Sequence, residues 1–525
     1  MEEKHHIARA AGLMSVATFI SRILGYLKDM ILANFFGATG VADTFFVAFR
    51  IPNLLRELFA EGSMSSAFIP VLTEYHTKKG IEEAKRLVSV TFTFILTFLG
   101  VICIAGIIFA PIIVSLIAPG FLDNPSKFSL TVVLTRIMFP FLLFISFAAL
   151  IMGSLNTRKV FFIPALAPAM LNIAIIVSVI LLSSRMEQPI IAVAIGVVCG
   201  GLLQFAFQLP SFFKEGYSLK TDFNFRHQGL KKMSILILPA TMGMAVAQIN
   251  IFISTILGTY LPEGSITYLY YSMRLIQFPI GIFGVAMGMA VLPTLSEHVA
   301  KGEFNKLCDD LSFSMRLLFF ITLPSMAGLI FLREPIVNIL FQRGMFNYLA
   351  TLGTAQALLF YSIGIWAVVG VRVITASFYS MQDTKTPVKI AISALLMNVI
   401  LSIILMKPMK HSGLALANSL ASSLNFTLLF LFLRRKIKGI NTKMLIRSFV
   451  KTALASLIMG IIGGMLIRSD IWHFEGRILY KTFYLSGIIG LCLGIFFVLS
   501  LVLKNEEAFY VLNFFKQRFK KSEKE

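Results

Sequence analysis

The stretch LVSVTFTFILTFLGVICIAGIIFAPIIVSLI, at residues 87–117, contains no Asp, Glu, Lys or Arg. A helix needs roughly 20 mostly apolar residues to cross the hydrocarbon core of a bilayer, and this stretch exceeds that length. Comparable apolar stretches recur along most of the 525-residue chain. The sequence therefore predicts an all-α polytopic membrane protein.

The composition of the whole chain favours the same class. Hydrophobic residues make up 57% of the chain and charged residues 14%, whereas about 25% charged residues are usual in a soluble domain. A disordered chain is excluded, because disorder requires a low content of apolar residues. We interpret the net charge of +21 as a signal for membrane topology, and we expect no nucleic-acid partner.

Fourteen transmembrane helices are predicted from the apolar stretches. Their approximate bounds are 12–36, 44–73, 87–117, 129–155, 160–183, 190–213, 233–257, 266–296, 311–332, 352–380, 387–406, 412–433, 446–467 and 481–503. Lys and Arg are concentrated in alternate loops, beginning with the N-terminal segment, and loops rich in these residues face the cytoplasm. Both termini are therefore predicted to be cytoplasmic, which agrees with an even number of spans.

An internal repeat links the second span to the eighth. The segment AFIPVLTEYHTKKG (residues 67–80) aligns with AVLPTLSEHVAKGE (residues 290–303), so that Pro70 matches Pro293. The repeat unit contains six spans, and an even number gives both halves the same orientation in the membrane. We expect two six-helix lobes related by a pseudo-two-fold axis along the membrane normal, which is a known transporter architecture.

The repeat divides the chain into three predicted parts. The N-lobe takes residues 1–220 with spans 1–6, and the C-lobe takes residues 221–440 with spans 7–12. Residues 441–525 form spans 13 and 14 and a basic cytoplasmic tail. A substrate is expected between the lobes, with alternating access produced by rocking of one lobe against the other.

Charged side chains inside the first two spans are the strongest sign of function. Span 1 contains SRILGYLKD (Ser21–Asp29) and span 2 contains FRIPNLLRELFAEGS (Phe49–Ser63). Because successive helical residues are separated by about 100°, one face of span 2 carries four polar side chains. These are Arg50, Asn53, Glu57 and Glu61. A charge near the centre of the bilayer costs about 2.5–3.5 kcal/mol, so several such charges in one helix indicate a functional role.

The charge balance of these residues favours a hydrated cavity that binds an anion. Arg presents a planar fork of donors that matches phosphate oxygens. The candidate substrate-binding residues are Arg22, Lys28, Arg50, Asn53, Arg56 and Arg274. The candidate gating or ion-pair residues are Asp29, Asp43, Glu57 and Glu61. A bland alternative is that internal ion pairs, such as Arg22 with Asp29 or Arg56 with Glu61, only hold helices together.

Enzymatic motifs are missing from the sequence. There is no Walker motif for nucleotide hydrolysis, no HExxH motif, and no paired Asp-rich motif for Mg²⁺. We therefore predict a transporter and not an enzyme, and no cofactor is expected. Any metal-ion site is left unassigned.

Several stretches closely resemble the MurJ (MviN) family of the multidrug/oligosaccharidyl-lipid/polysaccharide (MOP) exporter superfamily. They are SRILGYLKD (21–29), ADTFFVAFRIPNLLRELFAEGSMSSAFIPVLTEY (42–75), YYSMRLIQFPIGIFGVAMGMAVLPTLSEH (270–298) and FYSMQDTKTPVKIA (378–391). The resemblance covers nearly the whole chain, including two helices beyond the usual twelve. It implies a lipid II flippase of the bacterial inner membrane. Such a protein moves the undecaprenyl-pyrophosphate-linked peptidoglycan precursor to the periplasmic leaflet.

The resemblance also implies roles for individual residues. Arg22, Arg56 and Arg274 match basic positions that line the central cavity of the family, and Asp43 and Glu61 match functionally important acidic positions. Lys28 stands where relatives often have Arg, which keeps the charge but loses the planar fork. In this interpretation the cations neutralise the pyrophosphate of the substrate, and the outer side opens near Asp43.

The expected partners are lipid II and membrane lipids, with cell-wall synthesis proteins as candidate protein partners. The energy source is left open between a coupling ion, Na⁺ or H⁺, and the membrane potential. Three rival interpretations are a flippase for another polyprenyl-linked glycan, a cation-coupled drug exporter and a membrane scaffold that transports nothing. A drug exporter would carry acidic residues in its cavity, and a scaffold would tolerate charge reversal at Arg22 or Arg274.

Overall fold

The structure is a computed structural model that describes residues 2–57, 67–467 and 470–522. These described residues form helices and contain no strand. The α-helices are α1 (Glu2–Phe36), α2 (Gly40–Arg56), α3 (Ile69–Lys78), α4 (Ile81–Ile108), α5 (Ala110–Ile117), α6 (Pro125–Met138), α7 (Phe141–Thr157), α8 (Phe162–Leu182), α9 (Ile191–Ala206), α10 (Leu209–Lys214), α11 (Gln228–Thr259), α12 (Ser265–Pro279), α13 (Val285–Lys301), α14 (Phe304–Phe331), α15 (Arg333–Phe341), α16 (Tyr348–Ser362), α17 (Ile365–Ser380), α18 (Lys385–Lys436), α19 (Thr442–Leu466), α20 (Ile478–Val502) and α21 (Glu506–Ser522).

Within the described residues, ten helical segments are long and apolar enough to cross a membrane. The prediction of an all-helical polytopic membrane protein is therefore confirmed. Four of the ten segments exceed 30 residues, and the longest is α18 with 52 residues. The count of fourteen spans stays a prediction.

Helix α18 shows how one helical segment can contain two predicted spans. A straight helix of this length would extend about 78 Å, which is more than twice the roughly 30 Å of a hydrocarbon core. Lys410 interrupts the helical path with φ 51° and ψ −133°. A Cβ atom on Gly413 would lie 2.3 Å from the carbonyl oxygen of Leu405. Glycine at 413 therefore permits the close backbone approach that accompanies this kink.

The chain packs as two compact units, Met1–Ile266 and Thr267–Glu525. The first unit contains a buried core formed mainly by α3, α4 and α7, with Leu72, Leu87 and Leu150 at its centre. The second unit contains a core in which α14, α19 and α20 meet around Trp472 and Cys492. The compact units are defined by packing, whereas the predicted lobes are defined by the sequence repeat. The division into an N-lobe and a C-lobe therefore stays a prediction.

Small residues set the spacing of helices in the first unit. Gly196 and Gly200 of α9 lie against α8, where added Cβ atoms would come within 3 Å of the Cα atoms of Ile175 and Leu171. Close approach at a small-xxx-small pattern is the usual way for membrane helices to gain packing contact. Helix α8 in turn packs against α1, and Asn172 donates a hydrogen bond to the Ser21 carbonyl at 3.3 Å. This contact fixes the span that carries Arg22, Lys28 and Asp29.

The substitution Gly413→Ala should destabilise the protein, because the added methyl group collides with backbone atoms of α18. Overpacking of this kind costs about 1–3 kcal/mol. We expect a lower midpoint of thermal unfolding in detergent. Gly487→Ala is the matched control, since a Cβ at Gly487 meets no atom within 4 Å. Equal midpoints for the two variants would contradict a tight turn at Gly413.

Candidate functional site

The charged residues of span 1 lie on both the buried and the exposed sides of α1. The Lys28 ammonium is 3.1 Å from the Asp29 carboxylate, and the side chains are 14% and 0% exposed. Arg22, two turns earlier, is exposed. An Arg in an apolar span requires water, a headgroup or an anionic partner around its guanidinium. The face of α1 that carries Arg22 is therefore suited to a hydrated cavity.

A second polar cluster lies at the C-terminal end of α2. The Asn53 amide donates to the Glu57 carboxylate at 2.9 Å, and the Arg56 Nε donates to the Asn53 oxygen at 3.1 Å. A guanidinium nitrogen of Arg56 lies 3.8 Å from Glu57. Gln248 of α11 also donates to Glu57. This cluster holds Arg56 by polar neighbours while 22% of its side chain stays exposed.

Asp43 occupies a buried position at the opposite end of α2. Thr39 caps this helix, because its hydroxyl accepts from the Ala42 N–H at 3.3 Å. Asp43, in the first turn, is 2% exposed and accepts a hydrogen bond from the Gly264 N–H at 2.7 Å. A carboxylate in the first turn is also favoured by the helix dipole. Asp43 thereby ties the loop of residues 260–264 to α2.

A salt bridge reinforces this loop contact. The Lys127 ammonium of α6 lies 2.8 Å from the Glu263 carboxylate, and it also lies over the Phe121 ring at 5.4 Å from the ring centroid. Glu263 is largely exposed, so the pair contributes less than a buried pair would. The loop is therefore held by one buried and one partly exposed polar contact.

The other predicted site residues are Arg50, Arg274 and Glu61. Arg50 is half-buried in α2. Arg274 is half-buried in α12 and belongs to the second compact unit. Glu61 lies outside the described residues. The structure thus brings together Lys28 with Asp29, and Asn53 with Arg56 and Glu57; the ligand role of each stays a prediction.

Each half of the sequence contains π-helical backbone within a few residues of a predicted site residue. A π-helical turn spans Ile280–Gly284, directly after α12, and Glu57 at the end of α2 is also π-helical. The two positions Glu57 and Ile280 differ by 223 residues, which is the offset of the sequence repeat. π-Turns are frequent at functional sites because they redirect side chains within a helix.

A further contact joins α3 to the start of α11 in the first unit. Lys232 forms a hydrogen-bonded salt bridge with Glu74, and this hydrogen bond holds the pKa of Glu74 below its usual value. Arg86 pairs nearby with Asp222 at 3.1 Å. The backbone N–H of Asn224, followed by Arg86, lowers the pKa of Asp222. One pair links α3 to α11, and the other links α4 to the loop before α11.

Sequence reasoning missed Gln248 and the loop contact at Gly264. Gln248 is a polar residue within the apolar span predicted at 233–257, and that alone could have marked it as a partner for a charge. The Gly264 contact uses a backbone N–H, so the sequence carries no side-chain signal for it. Among the described residues, no group of three or more His, Cys, Asp or Glu side chains is placed to hold a metal ion.

The fold matches that of solved transporters. An inward-facing multidrug resistance MATE family transporter of the MOP superfamily superposes with a TM-score of 0.67 at 14% identity. The match covers 82% of this chain and 99% of that chain. Identity this low shows the fold alone. The protein is a multi-pass membrane protein with the fold of a MOP-superfamily transporter.

More similar relatives identify the family. The family model described as lipid II flippase MurJ matches residues 32–480. A "Probable lipid II flippase MurJ" of Vibrio cholerae is 36% identical over 503 residues, covering 94% of this chain and 95% of the relative. A "Lipid II flippase MurJ" of Burkholderia cenocepacia is 33% identical over 510 residues, covering 96% and 99%. The chain belongs to the MurJ family.

A solved structure supports this assignment independently. "Lipid II flippase MurJ, inward closed conformation" superposes with a TM-score of 0.77 at 31% identity. It covers 92% of this chain and 98% of the solved chain. The resemblance noted from the sequence motifs is therefore confirmed along nearly the full length.

Replacing Lys28 should lower the stability of the protein, because a buried carboxylate lies beside it. Lys28→Met leaves Asp29 without this ion pair, and breaking a buried pair costs about 3 kcal/mol at the lower end of the usual range. We expect a clear fall in the thermal unfolding midpoint in detergent. Lys78→Met is the control, because Lys78 and Glu74 form an exposed pair worth about 1 kcal/mol or less. Equal falls in both variants would contradict a structural role for the Lys28–Asp29 pair.

Proposed function

We propose that this protein is a lipid II flippase of the bacterial inner membrane. It moves the undecaprenyl-pyrophosphate-linked precursor from the cytoplasmic to the periplasmic leaflet, and it does so as a transporter without enzymatic chemistry. The observation that carries the proposal is 36% identity over 503 residues to a relative described as a lipid II flippase. The cationic residues within apolar spans support the same substrate class, since a pyrophosphate requires cations.

The substrate headgroup binds a cationic cavity formed by Arg22, Lys28, Arg56 and Arg274, with Arg50 and Asn53 as further contacts. Two features of the first unit support this assignment. Arg22 is exposed within a predominantly apolar part of α1, and Arg56 is oriented by Asn53 while part of its side chain stays accessible. A guanidinium that is already oriented loses less side-chain entropy when it binds a phosphate.

Alternating access arises from two six-helix lobes that rock about the cavity. The aligned segments at residues 67–80 and 290–303 support the repeat. The π-helical positions Glu57 and Ile280 support it further, because they recur at the same offset. Fourteen transmembrane helices with cytoplasmic termini complete this architecture.

In the proposed cycle, the loop of residues 260–264 forms part of the outer gate near Asp43. The Asp43–Gly264 hydrogen bond and the Lys127–Glu263 salt bridge hold that loop against α2 and α6. Opening toward the periplasm then requires the loss of one buried and one partly exposed contact. Contacts of this size are compatible with a conformational equilibrium of a few kcal/mol.

The energy for resetting the empty transporter comes from the membrane potential or from a coupling ion, Na⁺ or H⁺. Moving one elementary charge across 100 mV corresponds to about 2.3 kcal/mol, so a cationic cavity responds to the potential. Cell-wall synthesis proteins remain candidate partners that would supply or consume the flipped lipid.

Removal of a cavity cation should weaken lipid II binding. We expect purified wild type to bind lipid II in preference to undecaprenyl phosphate, and Arg22→Ala and Arg274→Ala each to lose at least about tenfold in affinity, since a charged hydrogen bond contributes about 1.5–3 kcal/mol. Native mass spectrometry in detergent measures the bound lipid directly. Arg136→Ala is the matched control, because Arg136 is an exposed arginine in a predicted span that donates to the Ile107 carbonyl.

Two outcomes would contradict the cavity assignment. Equal lipid II binding by wild type and all three variants would make these arginines structural. Equal binding of lipid II and undecaprenyl phosphate by wild type would mean that the protein does not recognise the pyrophosphate and sugars. A different polyprenyl-linked ligand would then be favoured.

Removal of the Asp43 carboxylate should loosen the outer loop. In Asp43→Ala the Gly264 N–H loses its acceptor, so the amide hydrogens of residues 260–264 should exchange roughly tenfold faster, in line with the 1–3 kcal/mol of an unsatisfied buried donor. Hydrogen-exchange mass spectrometry reports this rate. Asp43→Asn retains an acceptor oxygen and should show a smaller change. Asp123→Ala removes an exposed carboxylate from another loop, and a similar acceleration in that control would argue against the tie at Asp43.

A further inference from the structure

We propose that the second unit contains a binding site for the phosphate group of an anionic glycerophospholipid. The site is a cavity of about 480 Å³ between the middle of α14, the start of α19 and the junction of α20 with α21. We call it the C-terminal basic pocket. Its basic lining residues are Arg316, Lys443, Arg447, Lys451 and Lys504.

The geometry of α19 aligns three of these cations. Lys443, Arg447 and Lys451 are spaced by four residues, so they share one face of the helix. Lys504 closes the pocket from the α20–α21 junction, where its backbone takes a left-handed conformation with φ 52°. The pocket thus collects basic side chains from α14, from α19 and from the α20–α21 junction.

Internal contacts neutralise only part of this charge. Arg316 pairs with Glu506 at 2.6 Å and with Glu507 at 3.2 Å. Lys451 donates to the Lys504 carbonyl at 3.0 Å. These contacts fix the walls of the pocket.

Three cations are left over for a ligand. Within the part of the chain that the structure describes, no acidic side chain lies within salt-bridge distance of Lys443, Arg447 or Lys504. Their side chains are also exposed. The pocket therefore has an excess of positive charge that suits a phosphate anion.

Buried polar groups in the same pocket are a second indication of a ligand. Asn505 is 1% exposed, and neither its amide nitrogen nor its amide oxygen has a hydrogen-bond partner in the described chain. The hydroxyl of Ser448, which also lines the pocket, likewise has none there. A buried polar group without a hydrogen-bond partner destabilises the protein, so each of these groups requires a partner. An amide can donate to a phosphate oxygen and accept from a glycerol hydroxyl.

The surroundings of the pocket favour a membrane lipid over a soluble phosphate. Ile446, Val450 and Leu454 form an exposed apolar stripe beside the cationic face of α19. A ligand that joins a phosphate to acyl chains fits both features. The pocket also lies at the end of α19 and α20 that the distribution of Lys and Arg predicts to be cytoplasmic. Basic pockets between helices at that surface are suited to anionic headgroups.

Binding of phosphatidylglycerol to the full chain tests the proposal. Native mass spectrometry and thermal unfolding in detergent would be followed with phosphatidylglycerol, with phosphatidylcholine and with soluble glycerol 3-phosphate. We expect wild type to bind and be stabilised by phosphatidylglycerol. Lys443→Gln/Arg447→Gln/Lys504→Gln should lower that affinity at least about tenfold, because each basic residue near the surface contributes roughly fivefold.

A matched control variant distinguishes lipid binding in the pocket from attraction of the lipid to general surface charge. Arg434→Gln/Arg435→Gln/Lys438→Gln removes the same charge from exposed residues outside the pocket, beyond α18 and at its end. This variant should bind phosphatidylglycerol like wild type. Equal weakening in both triple variants would overturn the pocket as a site. Saturation by glycerol 3-phosphate with the affinity of phosphatidylglycerol would overturn the lipid and assign a soluble phosphate ligand.

A neutral substitution keeps the proposal testable if the triple variant folds poorly. Asn505→Ala leaves the net charge unchanged and should reduce the stabilisation by phosphatidylglycerol. An unchanged stabilisation would overturn the role of the buried amide. Lipid II binding should persist in the triple variant, because its cations lie outside the proposed transport cavity. Joint loss of lipid II and phosphatidylglycerol from a folded variant would overturn a separate phospholipid site.

Discussion

The cost of placing charge in hydrocarbon governs which side chains of this protein can face one another. Asp29 has no exposed surface, and the ammonium of Lys28 lies beside it on the same helix. At the end of α2, Asn53, Arg56 and Glu57 form a continuous polar cluster that Gln248 completes from α11. Low dielectric makes such contacts strong and makes their loss expensive. Helix positions in the first unit are therefore fixed by polar pairing as well as by apolar packing.

Irregular backbone follows α2, which carries the polar cluster, and α12, which carries Arg274. Pro52 lies inside α2 and Pro279 ends α12, and both helices continue into π-helical backbone at Glu57 and Ile280. Proline removes one hydrogen bond of the helix and a π-turn changes the direction of the following side chains. Such departures are tolerated in a membrane only where neighbouring groups satisfy the backbone. The π-helical positions Glu57 and Ile280 recur at the repeat offset, which associates the same irregular geometry with the ends of α2 and α12.

The apolar spans, the cationic residues within them and the family were predictable from sequence, because each depends on local composition or on contiguous motifs. The contacts were less predictable. Glu57 meets Gln248 across 191 residues, and Asp43 meets a backbone N–H 221 residues later. Helical periodicity places residues on a face, but it does not specify which helix covers that face. The C-terminal basic pocket was not predicted for the same reason, since Lys443 and Lys504 are brought together only by packing of α19, α20 and α21.

Partial neutralisation of the cations has a consequence for the proposed transport cycle. A cavity of bare cations would hold a pyrophosphate too tightly to release it, whereas fully paired cations would attract it weakly. Lys28 beside Asp29, and Arg56 beside Asn53 and Glu57, lie between these extremes. A bound headgroup would share cations with resident acceptors, and those acceptors would keep the cations hydrogen-bonded when the headgroup leaves. A ligand shifts a conformational equilibrium only by its difference in affinity for the two states. Resident acceptors that move with α1 and α2 are a direct way to create that difference.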